Sequence, residues 1–176
     1  MALRTIVKFG HPILRRQTKP VEQVDENVRR LVADMIETMD DAEGIGLAAP
    51  QVAESISVLV VNNGLIEDGE EPKAYINPEI YAEDGSETFE EGCLSIPDIR
   101  EDVTRPETIK LKYLDMDGQK RDETCGGMLA RVLQHEVDHL NGVLFIDRIS
   151  SVKRQLLTKR LKQIAAESRA QSDGAG

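Results

Sequence analysis

Residues 134–145 read QHEVDHLNGVLF and carry two of the chain's three histidines on either side of a glutamate. His135 and His139 are four positions apart, so on a helix both imidazoles leave one face, about 6 Å apart along the axis. Glu136 lies about 100° around that helix from His135, which aims it at water beside a metal rather than at the metal. H-E-x-x-H is a zinc-peptidase signature, and Gly142 matches the glycine of its longer form, H-E-x-x-H-x-x-G-x-x-H. The longer form then needs histidine at 145, where this chain has Phe145. The third ligand must come from elsewhere.

Few residues can supply it. His11, in GHPIL, precedes Pro12 and reads as a turn histidine. Glu167 is the sole glutamate after His139 and sits in a basic C-terminal segment. Cys125 lies ten residues before His135; across a mostly helical stretch that is about 15 Å, far beyond a metal–sulfur bond of about 2.3 Å. Elimination leaves Cys93, in EEGCLSIP, where Gly92 permits close backbone approach and the surroundings are strand-like. A Cys-His-His set keeps a fourth position open to water, whose pKa can fall towards about 7.

Working outward, Val28, Leu31, Val32, Met35, Ile36 and Met39 recur at helical spacing, predicting an amphipathic helix over 25–42 with Asp25 as its N-cap and Gly44 as its stop. ISVLVVN (56–62) reads as a buried strand. TIKLKYLD (108–115) alternates as a half-wet strand and turns at Asp117-Gly118 into another near 119–124. Gly126-Gly127 precede a helix from about 128 to 140 that Asn141-Gly142 ends. A third helix is expected over about 150–167. The expected class is α+β: a central metal-binding helix packed against small antiparallel or mixed β-sheets, with an N-terminal amphipathic helix and a C-terminal helix. Residues 1–168 read as one catalytic domain and 169–176 as a frayed tail.

With 176 residues and 40% hydrophobic content the chain can bury one real core. No apolar run approaches the roughly 20 residues of a membrane span. Two cysteines make no disulfide framework, and MALRTIVKFGHP lacks a secretory leader, so a reducing cytoplasmic setting and a monomer are expected. A net charge of −10 argues against DNA and broad nucleic-acid binding. The exception is local: over 151–169, Lys153, Arg154, Lys159, Arg160, Lys162 and Arg169 face a single acid, Glu167. That helix face is either simply solvated or a docking surface for ribosomal RNA or protein near an emerging chain.

Three separated stretches, GIGLAAPQ (44–51), EGCLS (91–95) and QHEVDH (134–139), resemble in order the motifs of peptide deformylases. The resemblance runs from HPILR to GVLFIDR, and the helical ending is similar to the class whose C-terminus is a helix. Asp98, in SIPDIR, stands where many members have glycine. The resemblance implies metal ligands Cys93, His135 and His139, and a substrate: the formyl-methionine that begins newly made polypeptides, hydrolysed to formate and a free amine. It implies Glu136 as proton carrier, with the Gln51 side-chain amide and the Leu94 N–H as oxyanion donors. It further implies that Ile45, Gly46 and Gly92 contact the peptide main chain, that Val132 lines the methionine pocket, and that Glu91 and Arg100 close its rim. The family's metal is often iron(II), with zinc, nickel or cobalt as surrogates.

Rival readings remain at this level. Gly44, Gly46 and Ala49 satisfy G-x-G-x-x-G/A, but a helix rather than a strand precedes them and Pro50 interrupts the helix that should follow, so the nucleotide reading is rejected. An extended segment beside which a peptide can lie fits better. A zinc aminopeptidase and a non-catalytic structural metal protein are the other two alternatives. Asp138, a charge inside the motif, needs Arg105 or Arg148 as a partner unless it faces water.

Overall fold

The computed structural model describes residues 2–174. Two extended or single-turn segments precede the first helix, α1 (Glu26–Asp41), whose N-cap Asp25 accepts a hydrogen bond from the Val28 N–H at 3.0 Å. Strands β1 (Gly46–Ala48), β2 (Val58–Val61) and β3 (Lys73–Asp84) follow, then the hairpin β4 (Glu87–Cys93) and β5 (Ile96–Arg105). Strands β6 (Thr108–Leu114) and β7 (Lys120–Gly126) lead into α2 (Gly127–Leu140), and α3 (Ser151–Gly174) closes the described chain.

Five strands form an antiparallel sheet in the order β1-β2-β3-β6-β7, and β4-β5 form a separate antiparallel pair. The class is α+β as expected; among the described strands all pairings are antiparallel, and the parallel contact is an isolated Lys19–Ile56 bridge. Each face of the large sheet is covered by a helix. Val58 and Val60 join Leu31, Val32, Met35 and Met39 of α1, whereas Leu59 and Val61 join Ala130, Val132 and Leu133 of α2. That two-sided burial is why β2 reads as a continuous apolar run with no alternation. The metal-motif helix is therefore an interior helix.

The strand β3 was not expected, because Pro78 interrupts it. The register shifts between Ile76 and Glu79, and Asn77 has φ 51° there, so the proline sits at a bulge where no ladder donor is needed. Asn77 also bridges to Val21, its side chain accepting from the Val21 N–H and donating to the Val21 carbonyl, both at 2.8 Å.

The C-terminal helix is longer than the sequence indicates, continuing through 169–174, the stretch expected to fray. Leu161, Ile164 and Ser168 are buried along one face, and Leu161 and Ile164 pack with Ile96, Ile99, Val103 and Phe145 in a third apolar cluster. This docking face carries α3 past 167. Half of its basic residues are engaged: Arg160 with Asp98 at 3.1 Å, Arg154 with Asp147 at 3.1 Å, and Lys153 with Glu101 at 3.6 Å. Asp98 has φ +65°, a left-handed conformation that aspartate tolerates better than most residues, so the site keeps a glycine-like backbone and gains a partner for Arg160. Among the described residues no helix is long and apolar enough to cross a membrane.

Candidate active site

The ligands of a metal site come from two elements that pack together: Cys93 from the end of β4 and His135 and His139 from α2. Their donor atoms all lie within 4.8 Å of one another, and no other such cluster exists among the described residues. Cys93 Sγ is 3.3 Å from His139 Nε2. Tetrahedral bonds of about 2.3 Å to sulfur and 2.05 Å to nitrogen place the two donors about 3.6 Å apart, so the spacing fits one ion. Cys125 is buried on β7, and the His11 side chain accepts from the Ile13 N–H in the turn before Pro12. Neither joins the cluster.

Phe145 follows the end of α2 in a short turn, 1% exposed, its ring stacked 6.0 Å from that of His135. It walls the imidazole in apolar surface where a longer-pattern ligand would be. Gly142, with φ +73°, makes that exit possible: a Cβ there would meet the Arg15 carbonyl oxygen at 2.6 Å.

Glu91 lines the cavity with Arg100, and at 6% exposure its carboxylate is turned inward against His135. Its carboxylate accepts from Arg105 Nε and Nη2 at 2.6 and 2.9 Å, from Arg131 Nη1 at 2.6 Å, and from His135 Nδ1 at 2.8 Å. The last bond commits Nδ1 and leaves Nε2 of His135 for the metal. Burial works against ionisation of Glu91, but the His135 and Arg105 contacts outweigh it and pull its carboxyl down to about 2. Arg100 lies over Gly92 and pairs with Glu90 at 2.7 Å on the surface. Arg105 continues to Asp138 at 2.9 Å, which Arg148 also holds, at 2.6 and 2.7 Å. Both expected partners of Asp138 are thus present.

Sequence reasoning missed Arg131. It stands four residues before His135, so helical spacing places it on the ligand face of α2, and that was the available signal. Ser95 was missed too; it is fully buried and its Oγ accepts from Gln51 Nε2 at 3.1 Å.

Glu136 is 4% exposed, with Oε1 3.9 Å from His135 Nε2. Its Oε2 is buried without a hydrogen-bond partner among the described residues. Burial raises its pKa to about 7, against the opposing pull of His135. A carboxyl so placed can gain or lose a proton near neutrality. The two imidazoles shift in opposite directions: burial and the neighbouring His135 push His139 well down, while His135, though burial opposes it, is held well up by Cys93 and Glu91. A cation among the three donors takes the place of a proton there.

Gln51 is 1% exposed, in a short 3-10 turn after β1. Its Oε1 accepts from the Ala48 N–H at 3.0 Å, which turns Nε2 towards Cys93 Sγ, 3.6 Å away. GIGLAAPQ is therefore strand and turn, with β1 the edge of the large sheet. Its glycines allow tight approach: a Cβ at Gly44 would lie 2.8 Å from Leu94 Cδ1, and one at Gly46 2.9 Å from Val132 Cγ1. Ile45, Gly46, Gln51, Glu91, Gly92, Cys93, Leu94, Arg100, Val132, His135 and Glu136 all line one cavity of about 770 Å³.

A Cys-His-His cluster opening on a cavity, with a buried glutamate beside it, is the arrangement of a metal-dependent hydrolase. A polypeptide deformylase family model matches residues 3–155. The chain is 47% identical to a peptide deformylase of Brucella suis over 171 residues, spanning 95% of this chain and 96% of that one. It superposes on a peptide deformylase from Legionella pneumophila with a TM-score of 0.85 and 41% identity, covering 97% and 98% of the two chains. For the peptide deformylase of Thermus thermophilus the values are 0.87, 37%, and 94% and 99%. The chain belongs to the polypeptide deformylase family, metallohydrolases that remove the N-formyl group from nascent polypeptides.

Proposed function

We propose that this chain deformylates formyl-methionyl peptides with Glu136 as the proton carrier and with Gln51 and Leu94 as oxyanion donors. A divalent ion held by Cys93, His135 and His139 supplies Lewis acidity and an activated water. Glu136 accepts the proton released as the water oxygen bonds to the formyl carbon. It returns that proton to the amine nitrogen as the C–N bond breaks, leaving formate and a free N-terminus. The unpartnered, buried Oε2 of Glu136 beside the ligand cluster carries this reading. The Gln51 amide, held in one orientation by Ala48, and the Leu94 N–H next to the ligand Cys93 are pre-set to receive the negative charge on the formyl oxygen. The peptide main chain adds as a strand along the outer edge of β1, past Ile45, Gly46 and Gly92, and the methionine side chain lies against Val132.

Formate release from a formyl-methionyl tripeptide by wild type and E136Q, with metal content measured in both, tests the assignment. Loss of turnover with metal retained supports it; an active E136Q refutes it, and peptide-bond cleavage without formate points to an aminopeptidase. A structural site is disfavoured because such sites are closed by four protein ligands, and this cluster has three.

Iron(II) is the proposed ion in the cell, with zinc, nickel or cobalt as surrogates, and metal analysis of anaerobically purified protein tests it. We also infer a cytoplasmic monomer that meets the ribosome through α3. Lys159, Lys162 and Arg169 are exposed and carry no ion pair among the described residues, which favours them as the contact. Salt-sensitive ribosome co-sedimentation, weakened by K159E/K162E, checks this; indifference to both refutes it.

A further inference from the structure

The two proposed oxyanion donors belong to segments far apart in sequence, and both segments hydrogen-bond to the N-terminal run Val7–Phe9. Here the Val7 N–H donates to the Gln51 carbonyl at 2.8 Å and the Phe9 N–H to the Ser95 carbonyl at 2.8 Å. Between them, Lys8 Nζ donates to the Leu94 carbonyl at 2.9 Å, and the half-buried Lys8 side chain forms part of the cavity wall.

We propose that Lys8 is a positioning residue for Leu94, completing a splint that sets the Leu94 N–H opposite the Gln51 amide. This rests on the assignment of those two groups as oxyanion donors. Leu94 and Ser95 form the turn between Cys93 and Ile96, which pair across the β4–β5 hairpin, so Leu94 itself lies outside the ladder. The thiolate side fixes the N–H end of Leu94 through Cys93, and the ammonium fixes the carbonyl end. With both ends held, the residue cannot rotate its N–H away from the charge that develops on the substrate. The splint is itself backed by α3: Ser168 Oγ donates to the Lys8 carbonyl at 3.2 Å. Gly10, with φ +103°, leaves no room for a side chain against Ala165, whose Cα would be 2.7 Å from a Cβ there.

The test compares wild type, K8M, K8R and Q51A by formate release from a formyl-methionyl tripeptide, with melting temperature and metal content alongside. Deleting an oxyanion donor lowers turnover by about 10²–10³, and loosening one costs less, so K8M is expected to lower kcat about tenfold. KM should stay within about twofold, because the contact acts in the transition state. K8R, which keeps a cationic donor, should recover most of the loss; being the conservative change, it also reports on the site should K8M fold poorly. An impaired Q51A with an unchanged K8M kcat overturns the proposal, as does a K8M defect confined to KM, or a K8R no better than K8M. An unimpaired Q51A removes the oxyanion assignment and the proposal with it.

Discussion

Exchanging Glu91 for glutamine (E91Q) replaces one carboxylate oxygen by an NH2 group at a site lined with donors. Four N–H contacts, from Arg105 twice, Arg131 and His135, converge on Glu91 within 2.9 Å. Glutamine offers one oxygen to them and turns two protons of its own into the rest. Glu91, Arg105 and Arg131 are 6%, 3% and 6% exposed, so water cannot enter freely to compensate. Removing one partner of a buried ion pair costs about 3–5 kcal/mol. Arg105 retains Asp138 at 2.9 Å, which places the loss at the low end, about 3 kcal/mol. For a chain of this size about 2–4 °C of melting temperature accompany each kcal/mol, so a drop of about 6–12 °C is expected. The His135 ring also loses the group that orients it, and metal affinity should fall about 10–100-fold. Thermal melting of metal-loaded and chelator-treated protein, with competition against a chromophoric chelator, reads both effects. An E91Q protein that melts within about 2 °C of wild type would refute the stability reasoning. An unchanged chelator midpoint would show that Glu91 serves the arginines and not His135.

The same geometry makes further predictions. In G46A the new methyl would lie 2.9 Å from Val132 Cγ1 and 3.0 Å from both Glu136 Cγ and Oε1. Displacing Glu136 by a few tenths of an ångström should lower kcat about tenfold with metal retained, since 1 Å of misplacement costs about a hundredfold; a fully active, metal-loaded G46A would count against the placement of Glu136. Stripping the metal should lower the melting temperature, because an ion present at about 1,000 times its Kd contributes about 4 kcal/mol by linkage; equal melting of holo and apo protein would contradict a site that ties β4 to α2. Burial disfavours ionised Asp147, but the Arg15 side chain, the Leu144 N–H and Arg154 outweigh it and hold its carboxyl below the ordinary 3.8. Its folded value being depressed, the stabilisation is present above pH 3.8 and is lost as pH falls through that lower value. D147N should therefore melt below wild type at neutral pH, with the gap closing under acid; a gap independent of pH would contradict the reading.

Some features were legible because they depend on neighbours along the chain. His135, Glu136 and His139 are ordered by helical spacing alone, and α1 by its apolar stripe from Val28 to Met39. The run VLVV of β2 announced burial on both faces. Cys93 was reachable by elimination because so few residues in this chain bind metals. Other features depend on contacts that no local pattern encodes. The strand β3 was hidden by Pro78, whose place at a bulge exists only because Asn77 is tied to Val21 and the register slips beside β6. The continuation of α3 to Ser168 follows from its docking face, in which Leu161, Ile164 and Ser168 find partners on the β4–β5 hairpin and the N-terminal segment.

The division is clearest around the metal-motif helix. The sequence by itself determined which atoms can bind the ion and which carboxyl stands beside them, since ligand type and helical periodicity are properties of short stretches. Only the tertiary structure decided the environment of those atoms. It buried the Glu91 carboxylate against His135, because Arg105 from β5 and Arg131 from α2 converge there. It brought Lys8 to the Leu94 carbonyl across 86 positions of sequence separation, and it gave Phe145 a place against the His135 ring. Burial, charge partners and hydrogen-bond direction arise from chain segments meeting in space, and spacing along one segment carries no record of them.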